Sequence, residues 1–290
     1  MKEPVLAPLE VPLNRVQDMT QIQYTSAIAL KLARQDNPIH LAQEIACRLN
    51  QMIAMASAKA TCPQDRIWQN FTIQTVLPGW IYLQLDQQGT AEWLQTLVSQ
   101  PMHLSSDQTS TSSFATTANI RDYTHTFCIL YTHARCCSLL RSANTEGIIR
   151  LNAANFGQAA ANPSAAHLNG NLNANLQGNL NANLNIVAPQ PLPWLTSGEL
   201  QCQHPAERQL ITQIVDVLDA LSQPGDRPLE KLAQALSQDF ETFYAACRIW
   251  GDVKSTNLPL AQVRLGLVLI TQKLLWVLLH RMQREAPTEL

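Results

Sequence analysis

The run Leu265 to Leu279, LGLVLITQKLLWVLL, constrains this chain more than any other stretch. It is almost continuously apolar, yet Thr271, Gln272 and Lys273 interrupt it, and it falls short of the roughly 20 residues that cross a bilayer. It reads as a buried helix, and no membrane span is expected. Three further stripes at three- and four-residue spacing can cover it. Tyr123, Phe127, Leu130, Ala134, Cys137 and Leu140 mark the first. Leu210, Ile211, Ile214, Val217, Leu218 and Leu221, opened by His204-Pro205, mark the second, and Leu229 through Leu232, Leu236, Phe240, Phe243, Tyr244 and Cys247 the third. Four such helices predict an all-α helical bundle over 121–290.

The amino-terminal third follows another pattern. Residues 1–20 hold three prolines and little periodicity, which predicts an irregular leader with no export signal. Ile22, Ala29, Leu32 and Ala33 fit a first helix. Asn37-Pro38 then supplies an N-cap and a first-turn proline for a second, with Ile39, Ala42, Ile45, Ala46, Leu49, Met52, Ile53 and Ala56 on one stripe. The period switches to two in FTIQTV and again in WIYLQL around Pro78-Gly79, predicting two strands and a turn, and a short helix follows from Thr90. The expected fold class is therefore an α+β N-terminal domain, 21–99, followed by the helical bundle.

Between the two, the Ser/Thr-rich stretch 100–120 reads as a linker. A second interruption, 145–197, holds HLNGNLNANLQGNLNANLN, with Leu at 168, 172, 176, 180 and 184 and at least one Asn beside each. Asn and Gly are poor helix formers, so the reading is a disordered or loosely ordered low-complexity insertion, with a sticky partner segment as the functional alternative.

Composition excludes some functions. Lys+Arg 20 against Asp+Glu 22 leaves a net charge of -2, and the regional balance is 7 against 8 over residues 1–100 and 9 against 11 over 199–290. Neither half is a basic module, so any nucleic-acid binding must be local and weak at physiological salt. Seven cysteines without a CxxC or an even framework predict reduced thiols and a cytoplasmic location. His125, Cys128 and His133 do not converge on a helix and lack a fourth ligand, so neither a metal nor a cofactor is expected.

The order of segments carries a resemblance. YTSAIALKLARQDNPIHLAQEIACRL (Tyr24 to Leu49) followed by VLPGWIYLQL (Val76 to Leu85) resembles the additional amino-terminal domain of arginyl-tRNA synthetases, with Trp80 and Tyr82 in place of that family's Phe and Asn. FCILYTHARCCSLLRSA (Phe127 to Ala143), HPAERQLI, DFETFYAACRIWG, VRLGLVLITQKLLWVLL and APTEL resemble, in order, its DALR anticodon-binding domain. Between these regions the family carries a Rossmann catalytic domain. Here about 25 residues of linker stand in its place, and no HIGH-like or KMSKS-like sequence occurs.

The resemblance implies a non-catalytic arginyl-tRNA synthetase paralogue unable to activate arginine. Its expected partners are tRNA, bound weakly, and full-length arginyl-tRNA synthetase or another protein. It implies an aromatic near the anticodon loop at Tyr244, which equally fits core packing beside Phe240, with Arg248 and Arg264 as further RNA-binding candidates. Arg264, as an internal arginine, also reads as fixing helix packing. His133 and Arg135 belong to the helix that faces the catalytic domain in intact synthetases, which makes them interface candidates. The carboxyl terminus Pro287-Thr288-Glu289-Leu290 departs from the family's Pro-Glu-Arg-Met. The alternative is a protein interaction scaffold that has lost RNA binding.

Overall fold

A computed structural model describes residues 12–16, 21–33, 37–57, 67–102, 120–152, 184–222 and 228–289, with side chains in the helix that begins at residue 120 described from 126 onward. The chain divides into two compact units, Met1–Trp93 and Leu94–Leu290. The division falls at Trp93, ahead of the expected linker, whose residues 103–119 lie outside the described ones.

The first unit is a four-stranded antiparallel sheet in the order β1-β2-β4-β3, built from β1 (Asn14–Val16), β2 (Ile22–Ser26), β3 (Phe71–Val76) and β4 (Trp80–Leu85). Helices α1 (Ile28–Leu32) and α2 (Pro38–Ser57) contribute Ile28, Ala29 and Ala42 to a core shared with Ile81. The hairpin register, Phe71↔Leu85 through Val76↔Trp80, is the one the alternating pattern predicts. At its turn a Cβ on Gly79 would meet Pro38 Cβ at 2.8 Å, so the turn can touch α2 only through a glycine. Asn37 Oδ1 accepts from Ile39 N at 3.3 Å, the expected cap of α2.

Two expectations fail at the start of this unit. Asn14–Val16 is a strand paired with Thr25 to Gln23, where an irregular leader was expected. The expected first helix is β2 from Ile22 to Ser26, paired with β4, and only Ile28–Leu32 is helical. Gln-Tyr-Thr-Ser is β-compatible chemistry, and pairing with β4 outweighs the helical spacing of the apolar residues around it. Buried Ser26 marks the change by accepting from Ile28 N at 3.3 Å.

Helix α3 (Gln87–Ser99) spans the division. Its last residues belong to the second unit, with α4 (Ile120–Thr145), α5 (Pro205–Ser222), α6 (Leu229–Ala246), α7 (Asp252–Thr256) and α8 (Leu258–Arg281). Helix α8 packs against α4, α5, α6 and α7. It is long and apolar enough to cross a membrane, but every residue from Val263 to Leu279 is buried, as expected of a central core helix.

The bundle is not all-α, which corrects the expected class of this unit. Arg150–Leu151 (β5) pairs with Ile186–Ala188 (β6), and Leu195–Thr196 (β7) with Glu199–Leu200 (β8). Both ends of the expected loose insertion are thus ordered: Ile148, Ile149, Leu184, Ile186, Leu192 and Trp194 are buried. Trp194 and Leu192 lie so close to α8 that a Cβ on Gly266 would meet each at 2.7 Å. Residues 153–183, with the Leu-Asn repeat up to Leu180, lie outside the described residues.

Candidate functional site

Helix α4 presents two ladders of side chains at four-residue spacing, and they divide the candidate residues between them. Residues 127, 131 and 135 form the outer one. Phe127 and Tyr131 stack with ring centroids 6.2 Å apart, and the Arg135 guanidinium lies 5.6 Å from the Tyr131 centroid and 4.4 Å from that of Tyr244 on α6. Arg135 Nη1 also donates to the Tyr131 hydroxyl. Tyr244 in turn stacks on buried Phe240 at 6.2 Å.

Tyr244 is therefore half-buried with Arg135 over its ring, so neither pure core packing nor an open stacking face describes it. The accessible rings are those of Phe127, 59% exposed, and Tyr131, 37% exposed. Phe127 was expected in the buried stripe. The buried side of α4 instead runs through Ile129, His133, Cys136, Cys137, Leu140 and Ala143. Arg135 Nε and Glu241 Oε1 are buried with no hydrogen-bond partner among the described residues.

The inner ladder is His133, Cys137 and Arg141. His133 is completely buried, which corrects its assignment as an interface residue. Its Nδ1–H donates to the Pro287 carbonyl at 2.7 Å, and its Nε2 accepts from Gln272 Nε2 at 3.1 Å. One neutral tautomer satisfies both bonds. Burial pushes its pKa down to about 4, against the opposing pull of the Pro287 carbonyl. One and two turns on, Cys137 is pushed up to about 12 by burial, and Arg141 donates to the Thr288 carbonyl at 2.9 Å. The carboxyl-terminal segment is thus seated along α4. Burial also raises the Cys136 and Cys202 thiols, which keeps them out of thiolate chemistry.

Of the two readings of Arg264, RNA contact and helix packing, its partners fit packing. The residue is 8% exposed, its Nε donates to Glu207 Oε1 at 2.7 Å and its Nη1 to the Arg248 carbonyl. Glu207, 1% exposed, also accepts from His204 N at 2.9 Å through its other oxygen, capping α5 three residues upstream. A guanidinium held this way ties α8 to α5. Arg248 keeps an exposed position beyond the end of α6.

A third cation, Lys273, is marked in the sequence only as an interruption of the apolar run. Lys273 is completely buried, and its Nζ donates to the carbonyls of Leu97 (3.1 Å), Val98 (2.8 Å) and Gln100 (2.8 Å) and to Asn185 Oδ1 (2.8 Å). It closes the carboxyl end of α3, where free carbonyls and the helix dipole favour a cation. Burial pushes its pKa down to about 7, while four oxygen acceptors favour the charged form. Among the described residues, no three His, Cys, Asp or Glu side chains come together as a metal site.

No family model, curated protein or solved structure matches this chain. The functional reading rests on the residues themselves: one solvent-facing aromatic and guanidinium ladder on α4, and a set of polar groups committed to holding helices together.

Proposed function

We propose that this chain is a non-catalytic, RNA-binding accessory of translation, related to arginyl-tRNA synthetases without their catalytic domain, and that it engages unpaired bases of tRNA through the outer ladder of α4. The observation that carries the reading is the placement of Arg135 between the rings of Tyr131 and Tyr244, with exposed Phe127 extending the row. Exposed aromatic faces stack on splayed bases for about 1 to 3 kcal/mol each, and a guanidinium plane adds stacking and charge in the same geometry. The order of synthetase-like segments along the sequence supports tRNA as the RNA. The net charge of -2 sets the expected strength: phosphate contacts are few, so affinity is modest and concentrated in the stacked bases.

The test is a titration of tRNA against wild type, Tyr131→Ala and Arg248→Ala at several salt concentrations. Loss of one stacked base weakens binding roughly 5- to 150-fold with little change in salt slope. Loss of a phosphate contact at Arg248 would instead flatten the slope by about one unit. Incubated with arginine, ATP and tRNA, the chain is expected to give neither charging nor pyrophosphate exchange.

The rival reading, a protein scaffold that no longer binds RNA, draws on the withdrawal of His133 and Arg264 from solvent. It predicts no tRNA binding even at low salt, and full-length arginyl-tRNA synthetase is the first partner to test.

A further inference from the structure

The first unit carries a second surface that has nothing to do with the α4 ladder. Strand β3 lies at the edge of its sheet, and among the described residues no strand pairs with its outer side. Asp86 N bonds the Asn70 carbonyl at 3.1 Å and Gly79 N the Val76 carbonyl at 3.0 Å. Bonded pairs alternate in an antiparallel ladder, so residues 72, 74 and 76 spend their backbone groups on β4. Those of Phe71, Ile73 and Thr75 point outward. Natural edges are usually blunted by charge, proline or a bulge. This one has none within the strand: from Ile67 to Leu85 there is no charged residue, and the only proline lies in the turn.

A groove of about 510 Å³ runs beside the edge, between β3 and α2, lined by Gln43, Cys47, Asn50 and Gln51 on the helix and by Ile73 and Thr75 on the strand. Among the described residues its lining is amide, hydroxyl, thiol or apolar. The two charged residues of α2, Glu44 and Arg48, do not line it and pair with each other at 2.7 Å.

We propose that β3 is a homodimerisation edge: it pairs antiparallel with β3 of a second copy, joining two sheets into one and bringing the two α2 flanks together over the groove. The chemistry selects this occupant. Antiparallel pairing about a two-fold axis sets residue 72 of one copy opposite 74 of the other and 71 opposite 75, so charges of one sign on the edge would face one another, whereas amides and hydroxyls, which both donate and accept, meet no such repulsion. No side chain of β3 or of the described groove lining carries a charge, so self-pairing of this unblunted edge meets no repulsion, whereas a basic or acidic partner would find no complementary charge.

The test is the mass of the full-length chain by sedimentation across a concentration series. Wild type should approach twice its 32.2 kDa as concentration rises. Thr72 and Gln74 are exposed, on the sheet face away from the groove, so Thr72→Lys/Gln74→Lys leaves the helix-side core intact. Like charges brought opposite one another on the symmetric pair should weaken the dimer roughly tenfold or more. Thr72→Glu/Gln74→Glu should do the same, and mixing the lysine and glutamate variants should restore a dimer containing one of each. A wild type that stays at the mass of one chain overturns the proposal, as does a dimer indifferent to both variants or a mixture that fails to recombine. Circular dichroism of each variant confirms that the fold is retained.

Discussion

Arg264 and Arg135 are arginines of the same unit, and their surroundings give them opposite roles. Arg264 is closed off by a carboxylate and a backbone carbonyl, with its charge answered inside the protein. Arg135 sits between two tyrosine rings near solvent, and among the described residues its Nε has no hydrogen-bond partner. The same contrast separates the two sides of α4, where His133 and Arg141 hold the chain's own carboxyl-terminal segment and Phe127 and Tyr131 face outward. Residue type alone does not say which positively charged group is available to a ligand. What decides it is whether the protein has already supplied the counter-charge.

The contrast is sharpest where the interior is broken. Arg264→Met leaves Glu207 buried without its cation and should cost about 3 to 5 kcal/mol in denaturant unfolding. Restoring packing without charge, by Arg264→Met with Glu207→Gln, should recover part of that loss.

Acid titrates the inner ladder next. His133 has a folded pKa near 4 against an ordinary value of 6.5, so between those values the unfolded chain binds the proton and the folded one does not. Stability should fall by about 3 kcal/mol as pH drops from 6.5 through 4. The His133→Gln variant should lack this component of the pH profile.

Lys273→Met should cost about 2 to 3 kcal/mol, because the carbonyls closing α3 and Asn185 Oδ1 lose a shared donor. Hydrogen exchange should show the loss around residues 94–100 and 185. Tyr131→Ala, on the outer ladder, should change stability by no more than about 0.5 kcal/mol, the usual size for an exposed position, while weakening tRNA binding. A stability loss as large as that of Arg264→Met would erase the distinction between the two ladders.

Much of the scaffold was legible in the sequence, and the exceptions share a cause. Helices α2 and α8 and the β3–β4 hairpin follow from strong local signals: Asn37-Pro38, an apolar run, and alternation around Pro78-Gly79. Strand β2 was missed because its partner β4 lies some 60 residues downstream, and β1 because it pairs only with β2. The β5–β6 ribbon was missed because its strands are two and three residues long and flank a repeat that dominates the composition.

The site divided in the same way. Tyr244 and Arg135 were both named, but the contact between them joins α4 to α6 and has no local signature. Arg264 could be suspected of packing, yet its partner Glu207 stands 57 positions away. Phe127 and Tyr131 passed as part of a helical motif because spacing identifies a stripe without fixing which way it faces. Lys273, inside an apolar run with no acidic neighbour nearby, was the available hint of a buried cation needing oxygen partners.

Photo-cross-linking of thiouridine-substituted tRNA to the full-length chain, followed by peptide mapping, tests the central claim most directly. The account predicts adducts on the α4 peptide that carries Phe127, Tyr131 and Arg135, reduced in Phe127→Ala/Tyr131→Ala and unchanged in an Arg264→Lys control. Adducts confined to other surfaces, or none at low salt, would contradict it.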